Sequence, residues 1–406
     1  MISASVATLV VLLGVAMVIA LVTERLRLPY VVVLALVGLV AGLFVGPLEL
    51  HLTSSVILFI LLPGLLFEAS FNLNWNHLRD NLAAVVALAT LGVFLTTAVA
   101  GLLVHQVLGL SLTLAIVFGA IVAPTDPVAV VAVFRRLGAP SRLTNLVESE
   151  SLLNDGTGVV VFGIAIGFLN TGGALQVGFA SLQFVQLALG GIALGLAIGF
   201  ALSTFTRFLD APQLELTLTL LAAYGGYLAA EALHVSGILT VVGAGLVMGN
   251  YGRPHAMSAR TRVFVEGFWD YVGFLLNSFV FLLIGLDLPL RSVLAQGWLL
   301  PAAFGIVTLA RAVSVYGLFL LLRPVGRVVN LRWQSLVVWA GLRGAVATAL
   351  LLSLGQDREF DRIKPLAYGV VLLSILVQGA TITPLTRLLL PHGGAEHRPQ
   401  HPERSG

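Results

Sequence analysis

Ser149-Glu150-Ser151-Leu152-Leu153-Asn154-Asp155-Gly156 places an amide beside a carboxylate inside a run, about 143–169, that is otherwise apolar. The run is long enough to cross a bilayer. A carboxylate at that depth costs at least about 2.5–3.5 kcal/mol, so ion or proton handling is its default reading. At about 100° per residue, Glu148, Ser151 and Asp155 share one helical face, while Glu150, Asn154 and Thr157 share another. The first face offers hydroxyl and carboxylate oxygens four residues apart, which suits a hard monovalent cation. The second offers a carboxylate and an amide for hydrogen bonds or an arginine partner.

A second constellation is Ala123-Pro124-Thr125-Asp126-Pro127, also within an apolar run. Each proline lacks an N–H and clashes with the carbonyl four residues earlier, which frees the carbonyls of Ala120 and Ala123. Irregular backbone in a membrane is tolerated where it is buried in protein or lines a cavity, and freed carbonyls and half-helix ends can hold cations. Gly341-Leu342-Arg343-Gly344 is a matching disturbance near the other end of the chain. Glu68, after Leu62-Pro63-Gly64-Leu65-Leu66-Phe67, sits near the end of an apolar run. There it is either solvated or part of the site.

The elements that position these residues are membrane helices. The chain has 406 residues, of which 58% are apolar and 10% charged. Soluble domains carry about 25% charged residues. There is no cysteine, so disulfides and thiolate metal sites are excluded. Windows of about 20 apolar residues predict about 13 spans, near 3–22, 29–46, 54–71, 82–105, 109–134, 143–169, 180–206, 213–232, 235–251, 264–286, 298–322, 334–354 and 366–390. The first is read as a retained helix, since it lacks a basic leader and a small-residue cleavage site.

The basic residues orient these spans. With the N-terminus outside, odd-numbered loops hold 13 arginines, from Arg25 to Arg332, and even-numbered loops hold only Arg291, Arg358, Arg362 and Lys364. This bias puts the N-terminus outside and the C-terminal tail in the cytoplasm. It also explains the high sequence pI without nucleic acid as a partner. Arg311 and Arg343 remain inside spans and need anionic partners, with Glu68, Asp126, Glu148, Glu150 and Asp155 as candidates. The spans divide as six, one and six, so the second half is inverted relative to the first.

With these segments, Phe281-Leu282-Leu283-Ile284-Gly285 included, the chain resembles monovalent cation/proton antiporters, in particular the NhaP and eukaryotic sodium/hydrogen exchanger branch. The resemblance covers nearly the whole chain. It implies an all-α polytopic protein with two inverted six-helix repeats and crossed broken helices at spans 5 and 12. It also implies one transporter unit over 1–392, with a core of about 54–170 and 264–390 that moves against dimerisation helices of about 1–46 and 180–251. A short disordered cytoplasmic tail, 393–406, would follow. Asp155 would bind the cation or proton, with Ser151, Glu68 and the Thr125 main chain as further ligands. Asn154, through Glu68, and Asp126 would orient the site. Arg311 would pair with Glu150, Asp126 or both, and Arg343 would complete the core ion pairs.

The function implied is exchange of Na⁺, or Li⁺ or K⁺, for H⁺ across the cytoplasmic (inner) membrane by a homodimer, with lipid as its surroundings and no cofactor. Asn154-Asp155, where electrogenic relatives carry two aspartates, implies electroneutral one-for-one exchange. A K⁺/H⁺-preferring antiporter is the nearer alternative and a cation channel the more distant one. A channel needs a continuous polar file, whereas these polar groups cluster at one depth. An anion or organic-solute carrier ranks lower, because intraspan acids outnumber Arg311 and Arg343. No nucleophile elbow or His-Glu-x-x-His pair suggests an enzyme.

Overall fold

A computed structural model describes residues 2–26, 29–45, 54–172, 177–323, 329–355 and 358–390. The expected tail at 393–406 lies outside them. The described residues form helices and no strand. Apart from the short helix Leu290–Leu294, they comprise α1 (Ile2–Leu26), α2 (Tyr30–Val45), α3 (Ser54–Asn72), α4 (Trp75–Leu108), α5 (Leu112–Val122), α6 (Val128–Arg136), α7 (Ser141–Asn170), α8 (Val177–Thr206), α9 (212–232), α10 (237–255), α11 (Ala259–Leu286), α12 (Leu299–Leu321), α13 (Leu331–Trp339), α14 (Ala345–Ser353) and α15 (Arg358–Leu389). Seven of them are long and apolar enough to cross a membrane.

Every apolar window read from the sequence falls on one of these helices or on a pair of half-helices. The largest boundary differences are polar. α4 begins at Trp75, where the Asn74 side chain accepts the Asn76 N–H at 2.9 Å and caps the helix. Hydropathy registers the apolar part of a helix and is blind to a capped polar first turn.

The helices pack closely through small residues. Gly38 of α2 lies against the backbone of Leu282 in α11, and Gly195 of α8 lies against Thr240 in α10. A Cβ at either position would collide with backbone, so glycine lets the helix axes approach. Five-residue π turns interrupt α3, α4, α9, α10 and α15. Two of them bear on the interior. The Gly92 carbonyl accepts the Ser314 hydroxyl at 3.0 Å, and the Ser374 hydroxyl accepts the Arg343 N–H at 3.0 Å. A π turn releases a backbone group or re-aims a side chain without ending the helix.

Candidate ion site

The two interruptions predicted from sequence meet each other. α5 stops at Val122 and α6 starts at Val128. α13 stops at Trp339 and α14 starts at Ala345. The Asp126 N–H, which in a continuous helix would donate to Val122, donates instead to the Leu342 carbonyl at 2.7 Å. Gly344 packs so closely on the Asp126 carboxylate that no side chain fits there.

The helix ends around this crossing are compensated by charge. The Asp126 carboxylate accepts the N–H groups of Val128, at 3.1 Å, and of Ala345, so it caps both α6 and α14. Two positive helix ends therefore balance this acid. Arg343 does the reverse. Its Nε donates to the Val122 carbonyl at 2.8 Å and its guanidinium also bonds the Gly341 carbonyl. These carbonyls are at the negative ends of α5 and α13. The expected ion pair of Arg343 with an acid is absent among the described residues. Main-chain carbonyls freed at the two breaks take its place. The freed carbonyl that Arg343 uses is Val122, because the Asp126 N–H has turned to the other break.

Arg311 and Glu150 form a bidentate pair at 2.9 and 3.0 Å, with side-chain exposures of 3% and 1%. Arg311 does not pair with Asp126, whose charge the two helix ends already balance. Asn154 sits one turn after Glu150 and donates to Glu150 Oε1 and to Thr125 Oγ1, both at 2.8 Å. Its own carbonyl oxygen accepts the Thr125 N–H at 3.3 Å. Asn154 thus joins α7 to the α5–α6 break, and it does so through Glu150 and Thr125 and not through Glu68. Ser151 donates its hydroxyl to the Thr125 carbonyl. Helix phase explains the division: Glu150 and Asn154 look into the protein, while Glu148, Ser151 and Asp155 look into a cavity.

That cavity has a volume of about 310 Å³, and Glu68 and Asp126 also line it. Glu68 is half-buried on its wall, against Gly273, and accepts the Asn72 amide at 2.9 Å. The same amide nitrogen reaches Asp270 Oδ1 at 3.2 Å. Nearer solvent, Arg135 pairs with Glu148 at 2.9 Å, with side-chain exposures of 64% and 19%. A second, smaller space of about 10 Å³ adjoins Asp155 between the two breaks, bordered by Thr125 and Gly344. That is about the size of one water. Asp155 therefore borders both spaces. Among the described residues it has no ion pair and accepts no hydrogen bond, whereas Glu150, Asp126 and Glu68 each have a partner.

Sequence reasoning did not find Asn72, Asp270 or Arg135. Asn72 carried one usable signal, its spacing of four residues from Glu68, which is a helical neighbour distance. Asp270 carried only its place as an acid near the end of an apolar span, which reads as solvated, because its relation to Glu68 is made by packing of α11 on α3.

A family model described as the sodium/hydrogen exchanger, transmembrane, matches residues 10–388. The chain belongs to that family. Among its relatives, the Na⁺/H⁺ antiporter ApNhaP of Aphanothece halophytica is 42% identical over 361 residues, 88% of this chain and 68% of that protein. The Na⁺/H⁺ antiporter NhaP of Pseudomonas aeruginosa is 40% identical over 346 residues, 82% of this chain and 81% of that one. The sodium proton antiporter MjNhaP1 of Methanocaldococcus jannaschii shares the fold, with a TM-score of 0.77 at 23% identity, over 96% of this chain and all of that chain. Within this sodium/hydrogen exchanger chain, the segments singled out around Glu68, Asp126, Asp155 and Gly344 meet at the crossing and the cavity, whereas the segment 281–285 packs on α2.

Proposed function

We propose that this protein is a secondary antiporter that exchanges Na⁺ for H⁺ at Asp155. The observation that carries this reading is a carboxylate with no ion pair or hydrogen bond among the described residues, on a cavity whose other acids, Glu68, Asp126, Glu148 and Asp270, all have partners. Such a group is available to a mobile cation or a proton, and a bare charge crossing the closed barrier is penalised. Ser151, Glu68 and the Thr125 carbonyl supply further oxygens. Asn154 and Asp126 hold the breaks in place, and the Arg311–Glu150 pair ties α12 to α7. The relatives named as Na⁺/H⁺ antiporters support Na⁺ over K⁺.

The helices are read as thirteen spans in two inverted repeats, with α5–α6 and α13–α14 as the fifth and twelfth. A core of about 54–170 and 264–390 moves against a dimerising unit of about 1–46 and 180–251 in the inner membrane. The arginine distribution supports an outside N-terminus and makes the cavity mouth at Arg135 cytoplasmic, so the conformation is inward-facing. The chain carries one aspartate, Asp155, at the Asn154-Asp155 position, so exchange is electroneutral.

The test is quenched-dye proton flux in proteoliposomes, with Na⁺, Li⁺ and K⁺ compared in turn. Na⁺ drives proton movement, and an imposed potential leaves the rate unchanged. A strong voltage dependence contradicts electroneutral exchange, and no cation-driven flux contradicts antiport.

The mouth residues give a further expectation. Glu148→Gln raises the apparent KM for Na⁺ at low ionic strength and Arg135→Gln lowers it, each by about two- to fivefold, with little change in maximal rate. The exposed pair contributes about 1 kcal/mol or less, so thermal stability stays close to wild type. Shifts of the same sign in both variants would contradict this account.

A further inference from the structure

The nine-residue half-helix α6 stands between two cavities. Val131 and Arg135 face the ion cavity. Ala129, Val133 and Arg136 face a separate groove of about 740 Å³, and Val128 and Ala132 border both. The end of α1, the start of α2 and the last turns of α15 also line the groove. Its wall along α6 and at Val31 is apolar. Arg136, Arg387 and Glu24, all exposed, supply its charge. Among the described residues neither arginine is within ion-pair distance of a carboxylate.

Two arginines against one glutamate leave the lining net positive. The arginine distribution puts this end of the molecule at the cytoplasmic interface, where the leaflet carries anionic lipid. Guanidinium groups bind phosphate through paired hydrogen bonds, and the apolar trough beside them suits an acyl chain. Residues 391–406 contain no large aliphatic or aromatic residue apart from three histidines, and their two arginines are matched by two glutamates. They bring neither an apolar side chain for the trough nor a net negative charge from their arginines and glutamates for its arginines.

We propose that this groove is a site for an anionic phospholipid, its phosphate held by Arg136 and Arg387 and its chain laid along α6. The site is distinct from the ion cavity and shares a wall with it. Its occupancy therefore bears on the half-helix whose N-terminus Asp126 caps. The inference requires a bilayer but not antiport, so it stands or falls separately from the transport reading.

The experiment is native mass spectrometry of the full chain equilibrated in detergent with equal amounts of phosphatidylglycerol and phosphatidylcholine. Wild type retains phosphatidylglycerol preferentially, and Arg136→Gln/Arg387→Gln retains about tenfold less. Arg260→Gln, away from the groove, retains it as wild type does. Arg387→Gln alone, at an exposed helix end, gives a smaller loss of the same sign should the double variant not fold. Equal retention of the two lipids by wild type overturns the proposal, as does undiminished retention by the groove variants or an equal loss in Arg260→Gln. Displacement of the lipid by millimolar inorganic phosphate assigns the arginines to free phosphate and overturns it. A chain ending at residue 390 that alone gains lipid assigns the groove to residues 391–406. Groove variants that change the oligomer and not the retained lipid assign it to a second copy.

Discussion

Asp155→Asn abolishes Na⁺-driven proton flux in proteoliposomes, reducing it to the level of protein-free vesicles. The substitution keeps the shape of the side chain and removes the charge from the cavity wall. Removing one partner from a poorly solvated charge pair costs about 3–5 kcal/mol. At 1.4 kcal/mol per tenfold, cation affinity falls by more than about a hundredfold. Asn also cannot release and rebind a proton, so the exchange cycle loses both of its loaded states. The folded state is not weakened, since burial of a carboxylate that accepts no hydrogen bond among the described residues is unfavourable in itself. The thermal midpoint in detergent is therefore at or above that of wild type. Flux at the normal rate, or a lowered midpoint that accounts for its loss, would overturn the assignment of Asp155 as the exchange site.

Breaking the Arg311–Glu150 pair has the largest expected effect on stability. Both side chains are almost fully buried, and Glu150 also accepts from Asn154, so each single change strands a charge away from water. Glu150→Gln or Arg311→Met costs about 3–5 kcal/mol. The double variant costs less than the sum of the two, because no net charge is left behind. Thermal or denaturant unfolding in one detergent, read as a double-mutant cycle, measures this. Additive losses, or single losses under about 1 kcal/mol, would mean that the pair is solvated or replaceable. Transport falls in the single variants as well, since the side chain at 150 that holds Asn154 against Thr125 is no longer fixed by the ion pair.

Much of the site was legible because it is local. Helical phase separates Ser151 and Asp155 from Glu150 and Asn154, and the structure puts the first two on the cavity and the second two in the interior. Pro124 and Pro127 predict a break, and the helix stops at Val122 and resumes at Val128. The apolar windows predict the helices within a few residues, except where polar capped turns extend them.

The partners were not legible. Five intraspan acids competed for two arginines, and their choice depends on which helices touch. Arg343 was expected to bind an acid and instead bonds the carbonyls of Val122 and Gly341. Asp126 was a candidate partner of Arg311 and instead caps α6 and α14. Main-chain groups are identical at every residue, so sequence does not mark which of them a crossing will expose.

The amino-acid order by itself determined the membrane class, the helices, the two breaks and the face on which Asp155 lies, because hydropathy, proline chemistry and helical period act within a few residues. Only the tertiary structure decided which charges compensate one another and which acid is left without a partner. Those outcomes depend on contacts between residues up to 221 positions apart, such as Arg343 with Val122, and only folding brings them together.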